Sequence, residues 1–273
     1  MSQYKIVACD LDGTLLNGQM EITEENWEAI RRLCEMGVLF VPSSGRSLND
    51  IPRELRESPY VRFIIHSVGS AIYDKEAGRS VRFAMSQSEA AALMDVLSDY
   101  ETDRILLCDG SSYMDKTTNT PEYHNYHRMN QICQEFINEN YVMVENFESF
   151  WRSLESVDMV CPFFHSDEER EACAERLSRM GYQVASSAPY NLEITHRSAG
   201  KGNALRYLAE SLKIDPAATI AVGDSPNDMD MIRKAGLGLA VANAEDSLKS
   251  IASAVICSNT DGVMPYILKE YFL

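Results

Sequence analysis

The chain has 273 residues, of which 45% are hydrophobic and 24% charged, a composition typical of a globular protein with one large domain or two modest ones. Its formal net charge of −16 argues against a nucleic-acid partner, because phosphate backbones are bound by a surplus of lysine and arginine. No apolar run approaches the length of a membrane span, and the first residues lack a signal-peptide pattern. We therefore expect a cytoplasmic protein without a membrane partner.

The cysteines are scattered along the chain and form no Cys-x-x-Cys pair. Because their number is odd and most lie in apolar surroundings, we expect buried reduced thiols rather than disulfides or zinc ligands. The seven are Cys9, Cys34, Cys108, Cys133, Cys161, Cys173 and Cys257.

Strand-like and helix-like segments alternate over the first 82 residues. Thr23 is suited to cap a helix whose first turn carries two glutamates, and Gly37 is suited to end it. Short apolar runs read as buried parallel strands joined by right-handed crossovers. The predicted strands are residues 4–9, 38–41 and 63–65, and a short helix is predicted at residues 48–55.

This alternation changes near residue 83, where adjacent predicted strands are suited to antiparallel pairing, with a turn at Asp109-Gly110. We interpret residues 83–190 as an inserted second domain. The predicted strands are residues 104–113, 157–165, 182–185 and 192–195, and the predicted helices are residues 88–100 and 166–180.

The first alternation resumes after Gly200, so residues 1–82 and 191–273 together form one discontinuous domain. Its predicted fold is α/β, a Rossmann-like doubly wound parallel sheet with helices on both faces. Predicted strands cover residues 219–222, 237–241 and 255–256, and predicted helices cover residues 203–212, 229–235, 246–252 and 262–269.

Two carboxylates, Asp10 and Asp12, follow the first apolar strand, and Gly13 allows the chain to turn directly behind them. Like charges this close are compensated most simply by a divalent cation. An ordinary polar turn is one alternative. A calcium loop is another, but that loop requires glycine at its sixth place, where Leu15 stands.

Two later segments offer groups that bind anions. Ser44 and Gly45 follow the predicted strand at residues 38–41, and a hydroxyl beside an approachable amide suits a phosphoryl oxygen. Lys201 stands where a helix begins, a position unfavourable for a cation unless a phosphate or the acidic cluster lies nearby. A capped turn and an exposed lysine are the structural alternatives.

A further acidic segment, from Gly223 to Asp228, directly follows the predicted strand at residues 219–222. Asp224 beside Asp10 would supply the oxygen ligands that Mg²⁺ prefers. Ligands of open parallel sheets lie outside the carboxyl ends of the strands, so we expect these segments to converge on one crevice.

This ordered set of motifs resembles the haloacid dehalogenase superfamily, in particular Cof-type phosphatases with a large α/β cap between the second and third motifs. The resemblance covers essentially the whole chain. The matching segments are Asp10-Leu11-Asp12-Gly13-Thr14-Leu15-Leu16, Ser43-Ser44-Gly45-Arg46, Lys201-Gly202-Asn203-Ala204-Leu205, Gly223-Asp224-Ser225-Pro226-Asn227-Asp228-Met229, Val241-Ala242-Asn243-Ala244 and Asp261-Gly262-Val263.

The resemblance implies a magnesium-dependent phosphatase that hydrolyses small phosphate esters, sugar phosphates or similar compounds, through an aspartyl-phosphate. Asp10 would attack phosphorus, and Asp12 would protonate the leaving alcohol and then activate water. Asp10, the backbone carbonyl of Asp12, and Asp224 would hold Mg²⁺, with Asp228 orienting Lys201 or a metal-bound water. Phosphoryl oxygens would be bound by the amide of Leu11 and by Ser44, Gly45, Lys201 and Asn227.

One departure from the family pattern is Val68, where asparagine is common, so a polar contact is either lost or replaced by His66 or Ser67. Two other functions stay open: a phosphomutase of the same superfamily, and a binding or regulatory protein on this fold. The sequence defines neither the substrate nor whether the chain is a monomer or a homodimer. Aromatic and polar candidates for leaving-group contacts in the insertion are Tyr113, Tyr123, His124, Tyr126, His127 and Tyr190.

Overall fold

A computed structural model describes residues 2–126, 131–188 and 190–273, with only the backbone described at residues 124–126, 132 and 133. The chain divides into two compact units. The first contains Met1–Gly45, Pro52–Val81 and Gly200–Leu273, and the second contains Arg46–Ile51 and Arg82–Ala199. None of the helices described is long and apolar enough to cross a membrane.

A five-stranded parallel sheet forms the centre of the first unit. Its strands are β1 (Ile6–Cys9), β2 (Leu39–Pro42), β14 (Thr219–Gly223), β15 (Leu237–Ala240) and β16 (Ala254–Val255). They lie in the order β16-β15-β14-β1-β2, and in register Ile6 is opposite both Thr219 and Leu39. β1 and β14 are buried along their whole length, as expected for parallel strands covered on both faces. The predicted parallel sheet is confirmed.

Among the described residues, six α-helices belong to the first unit, and the first of them begins after a capping threonine. They are α1 (Glu24–Glu35), α2 (Arg53–Glu57), α8 (Lys201–Ser211), α9 (Met229–Lys234), α10 (Asp246–Lys249) and α11 (Val263–Phe272). The Thr23 side chain accepts a hydrogen bond from the Asn26 amide, which confirms the predicted cap of α1. The Asn26 side chain in turn accepts a hydrogen bond of 3.0 Å from the amide of Met264, which joins α1 to α11.

Near residues 48–82 the structure differs from the prediction. The short helix predicted at residues 48–55 begins later than expected, because α2 starts only after Pro52. Proline disfavours the helical conformation of the residue before it. The predicted strand at residues 63–65 exists, but it starts an antiparallel sheet and joins β2 only through isolated parallel bridges among the described pairs. The strands of this sheet are β3 (Phe63–His66), β4 (Ala71–Asp74) and β5 (Arg79–Arg82).

The second unit is built on a six-stranded sheet. Its strands are β7 (Thr102–Cys108), β8 (Ser111–Asp115), β9 (Val142–Val144), β11 (Met159–Phe164), β12 (Gln183–Ala185) and β13 (Glu193–Thr195), and β6 (Met85–Ser86) pairs separately with β10 (Ser156–Val157). The order is β12-β13-β11-β7-β8-β9, in which only β8 and β9 pair in parallel among the described pairs. The predicted antiparallel pairing is confirmed, and Asp109-Gly110 forms the turn between β7 and β8 with positive φ at both residues.

A separate hydrophobic core fills the second unit, and Trp151 is among its largest buried side chains. Two predicted substrate-contact candidates belong to such packing, since Tyr113 stacks on Phe150 and Tyr123 is buried. The side chains of His124 and Tyr126, and all of His127, lie outside the described residues. The helices are α3 (Gln87–Leu97), α4 (Pro121–Tyr126), α5 (Gln131–Asn140), α6 (Phe147–Arg152) and α7 (Asp167–Arg179).

The boundaries of the units differ from the predicted insertion at residues 83–190 in two places. β13 pairs with β11 and β12, so the chain leaves the second unit after Ala199 rather than before residue 191. Residues 46–51 also belong to the second unit, where the amide of Asn49 donates a 2.8 Å hydrogen bond to the carbonyl of Gly110.

Candidate active site

Two carboxylates lie at the carboxyl ends of neighbouring strands of the first unit. Asp10 directly follows β1, and Asp224 directly follows β14. Cys9 and Val222 are partners in the parallel register, and the amide of Asp10 donates to the carbonyl of Val222 at 3.0 Å. The sheet therefore brings these two aspartates together, as the crevice rule for parallel sheets predicts.

The loop after Asp10 turns tightly over the sheet edge. The amide of Leu15 donates to the carbonyl of Asp10 at 3.2 Å, and Gly13 has a φ of 78°. A Cβ atom at Gly13 would overlap the Asp224 carboxylate. Glycine is required here both by backbone conformation and by the approach of a carboxylate. Asp12 is exposed at this turn, where it can reach a ligand from solvent.

Lys201 is fully buried between carboxylates. Its Nζ lies 2.7 Å from Asp10 Oδ1, 2.7 Å from Asp228 Oδ1 and 3.2 Å from Asn227 Oδ1. Burial alone disfavours the ammonium, but attraction to Asp10 and Asp228 outweighs it and raises the pKa of Lys201. The anion expected beside this lysine is therefore the acidic cluster itself.

Asp228 uses both carboxylate oxygens. Oδ1 accepts from Lys201, and Oδ2 accepts from the amides of Asp224 at 3.0 Å and Ser225 at 3.2 Å. A Cβ atom at Gly223 would overlap this carboxylate. Asp228 thereby fixes both the lysine and the backbone that carries Asp224.

Negative charge accumulates at this edge of the sheet. Burial, and then the charge of Asp228, raise the pKa of Asp10 despite the nearby Lys201 ammonium. The same two causes raise the pKa of Asp224 to about 7. Carboxylates with raised pKa values gain from a cation that replaces lost solvation.

Ligand atoms of Asp10, Asp224 and Asp228 lie within 4.8 Å of one another, a grouping that can hold a metal ion. Both oxygens of Asp228 already accept hydrogen bonds, so Asp10 and Asp224 are the carboxylates better placed to bind a metal ion. A set of hard oxygen donors fits Mg²⁺. Because Gly13 has no Cβ, the backbone that follows Asp12 packs against the Asp224 carboxylate, which suits a carbonyl ligand from this turn.

The segment containing Ser44 is tied to the same edge of the sheet. The amide of Ser43 donates to the carbonyl of Cys9 at 2.8 Å, and that of Ser44 to Ile65 at 2.9 Å. Ser44 is almost completely buried. Gly45 closes this segment of the first unit, and Arg46 begins a stretch of the second.

The departure at Val68 coincides with unusual backbone. Ser67 and Val68 both have a φ of 51°, which a β-branched residue adopts rarely and asparagine adopts more readily. The Val68 amide donates to the carbonyl of Ser44 at 3.1 Å, so this turn supports the Ser44 segment. His66 is buried and its Nδ1 lies 3.1 Å from Ser67 Oγ.

Sequence reasoning missed two contacts that hold the loop after Asp10. Nδ2 of Asn243 donates to the carbonyl of Gly13 at 2.7 Å, which gives a role to the residue in Val241-Ala242-Asn243-Ala244. Nδ2 of Asn259 donates to the carbonyl of Leu16 at 2.9 Å. Neither asparagine carried a local signal beyond the family pattern, because both act across more than 200 residues of chain. The cysteines with described side chains are free thiols, and most of them are buried as expected, whereas Cys34 and Cys257 are only partly buried.

The match to known proteins covers nearly the whole chain. The family model described as haloacid dehalogenase-like hydrolase matches residues 7–267. The chain belongs to the haloacid dehalogenase-like hydrolase family. The resemblance identified from its motifs is confirmed, together with the enzyme class, a phosphatase of this family.

Curated relatives of this hydrolase include phosphatase YwpJ of Bacillus subtilis (strain 168), 29% identical, with 97% of this chain and 99% of the relative covered. The 5-amino-6-(5-phospho-D-ribitylamino)uracil phosphatase YwtE of the same organism is 30% identical, with 97% of each chain covered. A solved haloacid dehalogenase-like hydrolase from B. subtilis superposes with a TM-score of 0.83 at 27% identity, covering 98% of this chain and 100% of that one. These matches confirm the α/β fold class.

Proposed function

We propose that this hydrolase is a magnesium-dependent phosphatase that cleaves small phosphomonoesters through an aspartyl-phosphate on Asp10. The observation that carries the proposal is the buried Lys201 ammonium, held at 2.7 Å by both Asp10 and Asp228, beside the carboxylate of Asp224. The buried lysine provides positive charge for a phosphoryl group, and the aspartates around it provide carboxylates for a cation.

In the first half of the reaction, an Asp10 oxygen forms a bond to phosphorus as the bond from phosphorus to the leaving oxygen breaks. The exposed carboxyl of Asp12 donates its proton to that oxygen, which leaves as an alcohol. The same carboxylate then removes a proton from water, which attacks phosphorus and releases inorganic phosphate with Asp10 restored.

The charge of the phosphoryl group is compensated from several sides in this proposal. Lys201, Asn227, Ser44, and the amides of Leu11 and Gly45 contact its oxygens. Asp10, the carbonyl of Asp12, and Asp224 would hold Mg²⁺, which when bound would supply positive charge to the phosphoryl oxygens. Asp228 keeps Lys201 and the Asp224 backbone in position through the contacts of both its oxygens.

For the substrate we propose a phosphorylated metabolite of sugar or sugar-alcohol type, selected by the second unit acting as a cap. YwtE is named for a phosphoribitylamino-uracil, which is a phosphate ester of a sugar alcohol. Such a compound is a phosphomonoester, which is what the proposed mechanism requires.

The test is phosphate release from a panel of hexose, pentose and polyol phosphates together with 5-amino-6-(5-phospho-D-ribitylamino)uracil. Asp10→Asn serves as the matched control. We expect release that requires Mg²⁺ and is absent in Asp10→Asn. Phosphate release in metal-free buffer, or an isomerised sugar phosphate instead of inorganic phosphate, would contradict the proposal, and the second result would favour a phosphomutase.

A further inference from the structure

The first turn of α8, which begins with Lys201, has no side-chain cap from the residue that precedes it. That residue is Gly200, with a φ of 117° and no side chain to accept a hydrogen bond. The first amides of any helix lack partners within the helix and need an acceptor from elsewhere. Here Oδ2 of Asp230 accepts from the amides of Gly202 at 3.1 Å and Asn203 at 3.2 Å.

Asp230 also limits where this turn can lie. A Cβ atom at Gly200 would be 2.8 Å from Asp230 Oδ2, and one at Gly202 would be 2.7 Å from the same oxygen. A Cβ atom at Gly69 would lie 2.6 Å from the amide nitrogen of Lys201. The backbone of this turn is therefore packed closely, with Lys201 against Gly69 and its neighbours Gly200 and Gly202 against Asp230.

The charge of Asp230 suits this place. A lysine at a helix N-terminus is opposed by the positive end of the helix dipole, and a carboxylate near that end offsets the opposition. Lys234 lies one turn further along α9. Its Nζ is 2.5 Å from Asp230 Oδ1 and donates a 2.6 Å hydrogen bond to Asn203 Oδ1. The Asp230 carboxylate is thus held by three groups in one orientation.

We propose that Asp230 is a positioning residue for Lys201: its carboxylate acts as the missing cap of α8 and fixes Lys201 Nζ between Asp10 and Asp228. The kinetic half of this inference rests on the proposed function. The described hydrogen bonds of Asp230 Oδ2 go to the backbone amides of α8, so its effect on the reacting groups passes through that backbone.

The first test compares variants of Asp230 that separate shape from charge. Asp230→Asn keeps a side-chain oxygen of the same reach, whereas Asp230→Glu keeps the charge but lengthens the side chain against Gly200 and Gly202. Because small displacements of catalytic groups cost one to two orders of magnitude in rate, we expect kcat to fall about tenfold in Asp230→Glu and Asp230→Ala. We expect Asp230→Asn to stay within about threefold of the parent, since asparagine caps as well as aspartate.

The stability control is Thr23→Ala, which removes a cap of α1 in the same unit, where the Thr23 Oγ1 accepts from the Asn26 amide at 3.3 Å. It should lower the melting temperature about as much as Asp230→Ala, because both remove one helix cap, and leave kcat unchanged. Equal kcat losses in Thr23→Ala and Asp230→Ala would reduce Asp230 to a stability role and overturn the proposal. Full activity in Asp230→Glu together with inactivity in Asp230→Asn would also overturn it.

The second test does not depend on turnover. Reductive methylation followed by peptide mass spectrometry measures access to lysine amines, and Lys201 is fully buried while the Lys269 side chain is 79% exposed. We expect Lys201 to be methylated in Asp230→Ala and Asp230→Glu but protected in the parent chain and in Thr23→Ala, with Lys269 methylated in all four. Protection of Lys201 in both Asp230 variants would refute the positioning role. The expected labelling in a chain without phosphatase activity would instead refute the proposed function alone.

Discussion

Replacing Lys201 with methionine should strongly destabilise the first unit. Methionine fills a similar volume but cannot donate a hydrogen bond or carry charge. The substitution leaves Asp10 and Asp228, which lie within 4.8 Å of each other, buried without the ammonium between them.

The expected loss follows from the burial of the pair. Removing one partner of a buried ion pair costs about 3–5 kcal/mol, because the remaining charge stays desolvated. Here two carboxylates are left, and one of them can escape the cost by binding a proton. Loss of the Lys201 ammonium removes the charge that lowers the raised pKa of Asp10, so the loss of stability should grow as pH rises and shrink as the solution is acidified.

Native-state hydrogen exchange of β1 and β14 peptides in urea, with chelator present, reports the opening free energy of the first unit directly. We expect about 3–5 kcal/mol less protection in Lys201→Met at pH 8, and a smaller difference near pH 5. The matched control is Lys269→Met, whose exposed amine pairs with the neighbouring Glu270 at the surface, and which should change nothing measurable. A difference below about 1 kcal/mol at pH 8 would refute the reasoning, since surface pairs reach that value.

Three further outcomes are expected. In single-turnover measurements, Asp12→Asn should slow release of the leaving alcohol from alkyl phosphates by at least about a hundredfold, and release of an activated aryl leaving group much less because it needs no proton; equal losses would argue against its acid role. Gly13→Ala should weaken Mg²⁺ binding, measured by calorimetry, because the added Cβ overlaps the Asp224 carboxylate, and unchanged affinity would contradict the metal site. Burial raises the pKa of Asp224 to about 7, so its ionised form destabilises the folded chain. Without metal, the melting temperature should therefore fall as pH rises from about 4 through about 7, and Mg²⁺ should restore it above pH 7. A melting temperature that rises over that range in chelator would contradict this prediction.

The sequence predicted the parallel sheet and the meeting of Asp10 with Asp224 because both depend on local patterns. Apolar runs ending in acid mark strand ends, and parallel strands deliver their carboxyl ends to one edge. The position of Lys201 was informative because a cation at a helix N-terminus is unfavourable without an anion. The structure supplies that anion as Asp10 and Asp228.

Elements fixed by contacts distant in sequence were not predictable in the same way. Glu193–Thr195 is a three-residue strand, which is too short for its sequence to indicate which sheet it joins. Its pairing with β11 and β12 places it in the second unit. The hairpin of β4 and β5 was missed because both strands are only four residues long and the residues of β5 are exposed or only partly buried. Asp230 resembled an ordinary polar residue of a helix, since its partners Gly202 and Asn203 lie on another helix.

The central claim is that Asp10 carries the phosphoryl group, and borohydride trapping tests it most directly. An acyl phosphate is reduced by borohydride to an alcohol, so quenching the protein during turnover with Mg²⁺ and substrate should convert Asp10 to homoserine, read by peptide mass spectrometry. With an activated aryl phosphate, whose leaving group needs no proton, Asp12→Asn should increase the yield because it slows hydrolysis of the intermediate, and omission of substrate should abolish it. Homoserine at Asp12 or Asp224 instead, or none at Asp10 in an enzyme that is turning over, would contradict the account.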